Sequence, residues 1–132
     1  MTTARLTDAA AEILARGRIT FADVRRLQRD LLPNGVSNRE EAEILIQLDR
    51  HTTQSARSWA DFFVVTLVDY VVWSERPTGI VNEEAASWLS DALDQPTQTR
   101  TARRLIAAIV SEAERVHERL AVDEQPDVPL AA

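Results

Sequence analysis

The chain has no cysteine and no lysine, and only three of its 132 residues are glycine. Without thiols it can build no disulfide, thiolate metal site or cysteine nucleophile. That absence fits a reducing compartment. Without lysine, Schiff-base catalysis and the lysine of a phosphate loop are excluded. All fifteen basic residues are arginine, and the plainest source of that is a compositional bias of the genome. So few glycines leave little room for a phosphate-cradling loop. There is also no Ser-His-Asp context and no zinc-protease signature. Residues 1–16 lack a basic start followed by an apolar core, so no leader peptide is expected and the cytoplasm is the expected location.

Acidic charge is abundant and unevenly spread. Residues 1–60 hold nine Arg and eight acids, net +1, whereas residues 61–132 hold six Arg and thirteen acids, net −7. An overall charge of −6 argues against general nucleic-acid binding, which needs a positive footprint. A chain of this length suits one domain with a real core.

The punctuation reads as helices. Thr7 is placed to cap a first helix ending at Arg16, before Gly17. Thr20 caps a second, with Asp23 in the capping-box position and Ile19 and Val24 spaced as a hydrophobic staple. Phe21, Val24, Leu27 and Leu31 then share a face, and Pro33-Asn34-Gly35 stops the helix. Ser37 with Glu40 reads as the capping box of a third helix, running to about His51 and burying Ala42, Leu45 and Leu48. A turn is expected over residues 52–55. Asn82 caps a fifth helix to about Leu93, and Pro96 separates it from a sixth, from about Thr99 to Val122. Residues 123–132, with two prolines and three acids, read as a mobile tail. No strand pattern competes. The expectation is an all-α compact bundle of about six helices in one domain, residues 1–122.

The fourth helix, residues 57–73, is the centre of that expectation. Between Trp59 and Trp73 only Asp61, Thr66 and Asp69 are polar. At 100° steps, Trp59, Phe62, Phe63, Thr66, Tyr70 and Trp73 form an aromatic ridge, and Val64, Leu67, Val68 and Val71 cover the other side. Such a helix is wrapped by the others. It is shorter than the ~20 residues of a bilayer span, and a central aspartate is costly there. Asp61 and Asp69 read first as the helix's wet strip, second as partners of Arg57, Arg76 or an arginine elsewhere. A catalytic or metal pair is the last reading, because roughly 12 Å of helical rise separates them.

Other chemistry is weaker still. Glu114 and His117 have the Glu-x-x-His spacing of di-iron bundles, but His51 belongs to no second motif. The glycine-centred stretches around Gly17 and Gly79 lack the oxygen ligands of a Ca²⁺ loop. Arg25, Arg26 and Arg29 cluster on the second helix. Arg100, Arg103 and Arg104 occupy the first turns of the sixth, where positive charge opposes the helix dipole. Acids such as Asp91 and Asp94 can offset them, or an acidic partner can. These three arginines are the expected partner-contact edge. Ala102, Ile106, Ile109, Ala113, Val116 and Leu120 form a heptad-like seam. Packing on the central helix is its first reading, and homodimerisation through the sixth helix the alternative.

Two stretches, "GRITFADVRRL" and "TGIVNEEAASWL", share one plan: glycine, aliphatic residues, a cap, an acid, then a helix. With the apolar helix between them, residues 10–93 resemble the tellurite-resistance TerB-like helical domains, also found in DjlA-type co-chaperones. The resemblance implies a helical, stress-linked interaction module rather than an enzyme. The family's segments often carry Asp before the glycine, where this chain has Arg16 and Thr78. Of the acids that the family uses around metal, Asp23, Glu83 and Glu84 keep the character. The expected function is therefore a non-enzymatic interaction or accessory module with a protein partner and no cofactor. The alternative is a TerB-like metal-responsive protein using those three acids.

Overall fold

The computed structural model describes residues 2–75, 78–94, 98–117 and 120. The separator expected at Pro96 and the tail at 123–132 lie outside the described residues. Among these residues there are six helices and four two-residue strands. The order is α1 (Thr2–Arg16), β1 (Arg18–Ile19), α2 (Phe21–Arg26), α3 (Arg39–His51), β2 (Gln54–Ser55), α4 (Arg57–Val68), β3 (Ile80–Val81), α5 (Glu83–Leu93), α6 (Arg100–Glu112) and β4 (Arg115–Val116). A π-helical turn extends α2 over Leu27–Leu31 and another extends α4 over Asp69–Ser74. Their wide turns are visible in the bonds from Leu32 N–H to the Leu27 carbonyl (2.8 Å) and from Glu75 N–H to the Tyr70 carbonyl (3.1 Å).

The plan shared by the two glycine-led stretches belongs to a longer internal repeat. Gly17 and Gly79 take φ of +78° and +80°, a conformation cheap only for glycine. Each turns the chain from a helix end into a short strand, then into a cap. Thr20 accepts from Asp23 N–H, and Asn82 accepts from Ala85 N–H. A helical segment follows, to Leu31 or Leu93. Then come α3 and α6, each 13 residues long. A second strand closes each unit, and β1 pairs with β2 as β3 pairs with β4, both parallel. The bonds correspond one to one. Thr53 N–H reaches the Gly17 carbonyl (2.9 Å) as Glu114 N–H reaches that of Gly79 (2.7 Å). Ala56 N–H reaches Ile19 (2.8 Å) as His117 N–H reaches Val81 (2.7 Å). Two residues are too few to carry a strand periodicity, which is why these strands were not expected.

The core is continuous and centres on α4. Trp59, Phe63, Leu67, Val71 and Val72 are fully buried, and Phe62, Val64 and Tyr70 are nearly so. Trp59 stacks obliquely on Phe62 and Phe63, with centroids 5.9 and 5.5 Å apart. Its indole N–H donates to Asp49 (3.0 Å), whose other oxygen accepts from the Thr99 hydroxyl at the start of α6 (2.6 Å). One carboxylate thus ties α3, α4 and α6 together. Arg50 donates to the Leu93 carbonyl (2.9 Å), meeting an orphan acceptor at the end of α5.

Several local expectations are corrected. The first helix starts at Thr2 rather than at Thr7, because nothing between them breaks it. The cap of α3 is Asn38, not Ser37. Asn38 accepts from Glu41 N–H, and buried Glu41, not Glu40, accepts from Ser37 N–H (2.8 Å). Phe21 is 59% exposed. It sits in the first turn of α2 beneath Arg25, whose guanidinium lies 5.7 Å from its ring centre. Trp73 leaves the aromatic ridge and is 41% exposed, because the π turn lags the α-helical rotation. That lag also lets Tyr70, Val71 and Val72 be buried in succession. Finally, α6 stops at Glu112 instead of Val122. Ala113 turns to extended backbone (ψ 149°) so that Glu114 and Arg115 can bond to the Gly79 carbonyl. The heptad seam is therefore cut after Ile109. Ala102, Ile106 and Ile109 are buried inside the chain, with α6 packed on α4.

Candidate functional site

Helices α1, α3 and α5 leave an open groove of about 760 Å³ between them. One wall is Thr7, Ala10, Ala11 and Leu14 of α1, and the opposing surface is Glu40, Glu43, Ile44 and Gln47 of α3. Both sets have the i, i+3, i+4, i+7 spacing of one helical face. Trp88 and Ala92 of α5 close one side, with Asp91 beside them. The small Ala10 and Ala11 leave the space, and Leu14, Ile44 and Trp88 give it apolar walls. Among the described residues its charged lining is Glu40, Glu43 and Asp91, with no arginine. A shallower recess adjoins it across Trp88 and Asp91, lined also by Asn82, Glu83, Glu84 and Ser87.

Trp88 is held in place from several directions. Its indole N–H donates to Glu43 Oε2 at 2.7 Å. The Arg39 guanidinium lies over its ring, 4.6 Å from the centre, and Tyr70 meets it edge-on at 6.5 Å. Arg39 in turn grips Glu75 with two bonds (Nε to Oε2, 2.7 Å; Nη2 to Oε1, 3.0 Å), and it reaches Glu84 at 2.5 and 2.7 Å. The Tyr70 hydroxyl donates to Glu75 (2.6 Å). Arg39 holds the Glu75 carboxyl below the usual range, against the effect of burial, with help from the Tyr70 hydroxyl. Glu84 is lowered by the same guanidinium. Burial, with the Glu75 carboxylate beside it, pushes the Tyr70 phenol above its ordinary value. These groups form a satisfied clamp joining α3, α4 and α5 behind the indole.

The residues singled out in the sequence lie elsewhere. Arg100, Arg103 and Arg104 are all exposed on α6. Arg104 reaches Asp61 (2.5 Å), and Arg103 reaches the Gln98 carbonyl (3.4 Å). Asp61 and Asp69 are exposed with Val65 between them, so they mark the wet strip of α4. Asp61 has an arginine partner, at the surface rather than in the interior. Asp23 serves the α2 capping box. Burial would raise its pKa, but the Thr20 amide, Arg16 and the Thr20 hydroxyl together hold it below the usual range. Glu83 is exposed, and Glu84 is paired with Arg39. Among the described residues no three His, Asp or Glu side chains gather in a metal-holding group. Glu114 and His117 lie beyond the end of α6, so their spacing is not that of a helical pair.

Sequence reasoning missed the groove and the clamp. Arg39 meets partners 36 and 45 positions away, a relation that helical spacing does not display. The one available signal was Ala10-Ala11 on the same face as Leu14, a stripe too small to fill the space beside it. No protein-family model matches the chain, and neither a curated protein nor a solved structure does.

Proposed function

We propose that this chain is a non-enzymatic helical interaction module that docks a protein partner in the groove between α1, α3 and α5. The observation that carries the reading is the groove itself, an open apolar channel beside a rigid, fully engaged polar clamp. Its mostly apolar lining with a few acidic groups is the composition of a binding cleft. The volume falls within the range of about 300–1,000 Å³ typical of ligand clefts. The likeness of the two glycine-led stretches to TerB-like domains supports a stress-linked module of this kind. The arginine edge at the start of α6 is the rival surface. It is less favoured because Arg103 and Arg104 already have partners within the chain.

The test is selection from a random peptide library on the wild-type protein and on Ala11→Trp, which fills the groove from an exposed position on α1. Sequences enriched on the wild type and lost on the variant are expected. Equal enrichment on both would remove the groove from the reading. The metal-responsive alternative, through Asp23, Glu83 and Glu84, is separated by calorimetric titration with Ca²⁺, Mg²⁺, Mn²⁺ and Zn²⁺. Stoichiometric micromolar binding lost in Glu83→Gln/Glu84→Gln would replace the first reading.

A further inference from the structure

We infer that the partner segment is a basic amphipathic helix, with an apolar stripe on Leu14, Ile44 and Trp88 and cationic side chains at Glu40, Glu43 and Asp91. This rests on the groove being the docking surface, and it adds the partner's shape and charge.

The shape follows from the walls. Residues 7–14 of α1 and 40–47 of α3 each run two helical turns, about 10 Å by helical rise. Two such ridges with a trough between them match the surface that a third helix packs against. A helix seated there would present anchors at i, i+3 or i+4, and i+7. An extended peptide would instead need an open sheet edge, and these walls are helices with their backbone bonds made internally.

The charge follows from the rim. Glu40 and Glu43 face the groove from one side and Asp91 from the other, and among the described residues no arginine lines it. The adjoining recess adds Glu83 and Glu84. Arg39, which lies over the Trp88 ring, is committed to Glu75 and Glu84. Glu43 accepts the Trp88 indole, and a carboxylate retains further acceptor positions after one such bond. A partner with arginine or lysine flanking its apolar stripe complements this rim, while an acidic one is repelled. The chain's own residues 123–132, with three acids and no basic group, have the wrong charge for the site. A second copy is the other occupant to separate. Its exposed α2 face carries Phe21, Arg25, Arg26 and Arg29.

The experiment uses the full chain and three synthetic peptides of about 18 residues, because shorter helices are marginal in water. The first has leucines at i, i+3, i+4 and i+7 flanked by arginines. The second replaces the arginines with glutamates, and the third replaces the leucines with alanines. Binding is read by calorimetry and by the Trp88 indole N–H resonance. The arginine–leucine peptide is expected to bind at least about tenfold more tightly than either control, and to weaken as salt rises. Ala11→Trp should abolish its binding with an unchanged circular dichroism spectrum. The exposed double variant Glu40→Gln/Asp91→Gln should lose the preference for arginine over glutamate, which keeps the test decisive if Ala11→Trp misfolds. Equal binding of the arginine and glutamate peptides overturns the charge assignment while leaving the docking reading intact. Failure of all three overturns the basic-helix assignment, and the peptide-library selection then decides the docking reading by itself. Self-association of the chain that Ala11→Trp abolishes overturns the assignment in favour of a second copy.

Discussion

Arg39→Met dissects the clamp behind Trp88, since it removes the guanidinium and keeps a flexible apolar stem against the indole. The two arms of Arg39 are unequal. Glu75 is only 17% exposed and takes two bonds in one planar contact, whereas Glu84 is 71% exposed. A hydrogen bond to a charged group contributes about 1.5–3 kcal/mol when water cannot replace it freely, and the Glu75 contact belongs in that range. The Glu84 arm is screened by solvent, so Glu84→Gln should leave the unfolding midpoint unchanged. The double-mutant cycle of Arg39→Met with Glu75→Gln should give a coupling of about 1 kcal/mol or more. The pH dependence has a definite sign. The Glu75 carboxyl is held below its ordinary value of 4.5, so its contribution is present above that value and is lost as pH falls through the folded-state pKa. Arg39→Met loses this depression, so its stability gap to the wild type should narrow between pH 7 and pH 3. Asp23 is also depressed, but it is common to both proteins and cancels. Urea unfolding followed by circular dichroism at the two pH values measures all of this. A coupling below about 0.5 kcal/mol, or a gap independent of pH, would refute the assignment of Glu75 as the main partner.

Other substitutions probe the remaining links. Phe63 is fully buried, so Phe63→Ala should cost about 3–5 kcal/mol in urea unfolding, and Phe63→Asp should leave no cooperative melt. Gly17→Ala and Gly79→Ala each force a Cβ into a left-handed conformation, at about 1–2 kcal/mol. The two costs should be similar, because the added Cβ meets nothing within 4 Å at Gly17 and only ordinary contacts with Trp73 and Glu114, at 3.4 Å, at Gly79. Replacing Arg100, Arg103 and Arg104 together by Gln should leave the melting temperature nearly unchanged, since exposed pairs contribute at most about 1 kcal/mol. Loss of groove-peptide binding in that triple variant would return the contact edge to α6.

What the sequence disclosed was whatever is decided within a few residues. The Thr20–Asp23 box, the Asn82 cap and the stop at Gly17 each rest on bonds spanning three or four positions. The apolar character of α4 identified the central helix because burial leaves its mark on composition. Errors arose where distant groups decide. Residues 113–117 have no breaker, yet the helix ends there because the Gly79 carbonyl and Val81 offer a better set of bonds. A uniform 100° rotation puts Trp73 on the ridge, and the π turn does not follow that rotation. The groove leaves only the small Ala10-Ala11 stripe as a local signature. It is the space that α1, α3 and α5 fail to fill.

That failure has a physical reason in the repeat. Each unit sets its long second helix, α3 or α6, beside the helix that precedes its glycine, α1 or α4, and a cavity lies on the face of each pair. On the α4 side the cavity is about 360 Å³, less than half the size of the groove, and Val65, Val68 and Trp73 crowd it. Trp73 reaches across to Gly79, where an added Cβ would touch it. On the α1 side the corresponding helix offers Ala10, Ala11 and Leu14, and nothing approaches Gly17. The one large aromatic of the groove, Trp88, comes instead from the other unit, and it is pinned by Glu43 and Arg39 rather than left to collapse inward. Filling a cavity is the cheap way to stabilise a helix pair, as each void left open forfeits packing. The first unit keeps small residues on that face and braces its neighbouring indole with a charged clamp. That combination stabilises an open channel, which suits a surface that a partner helix completes.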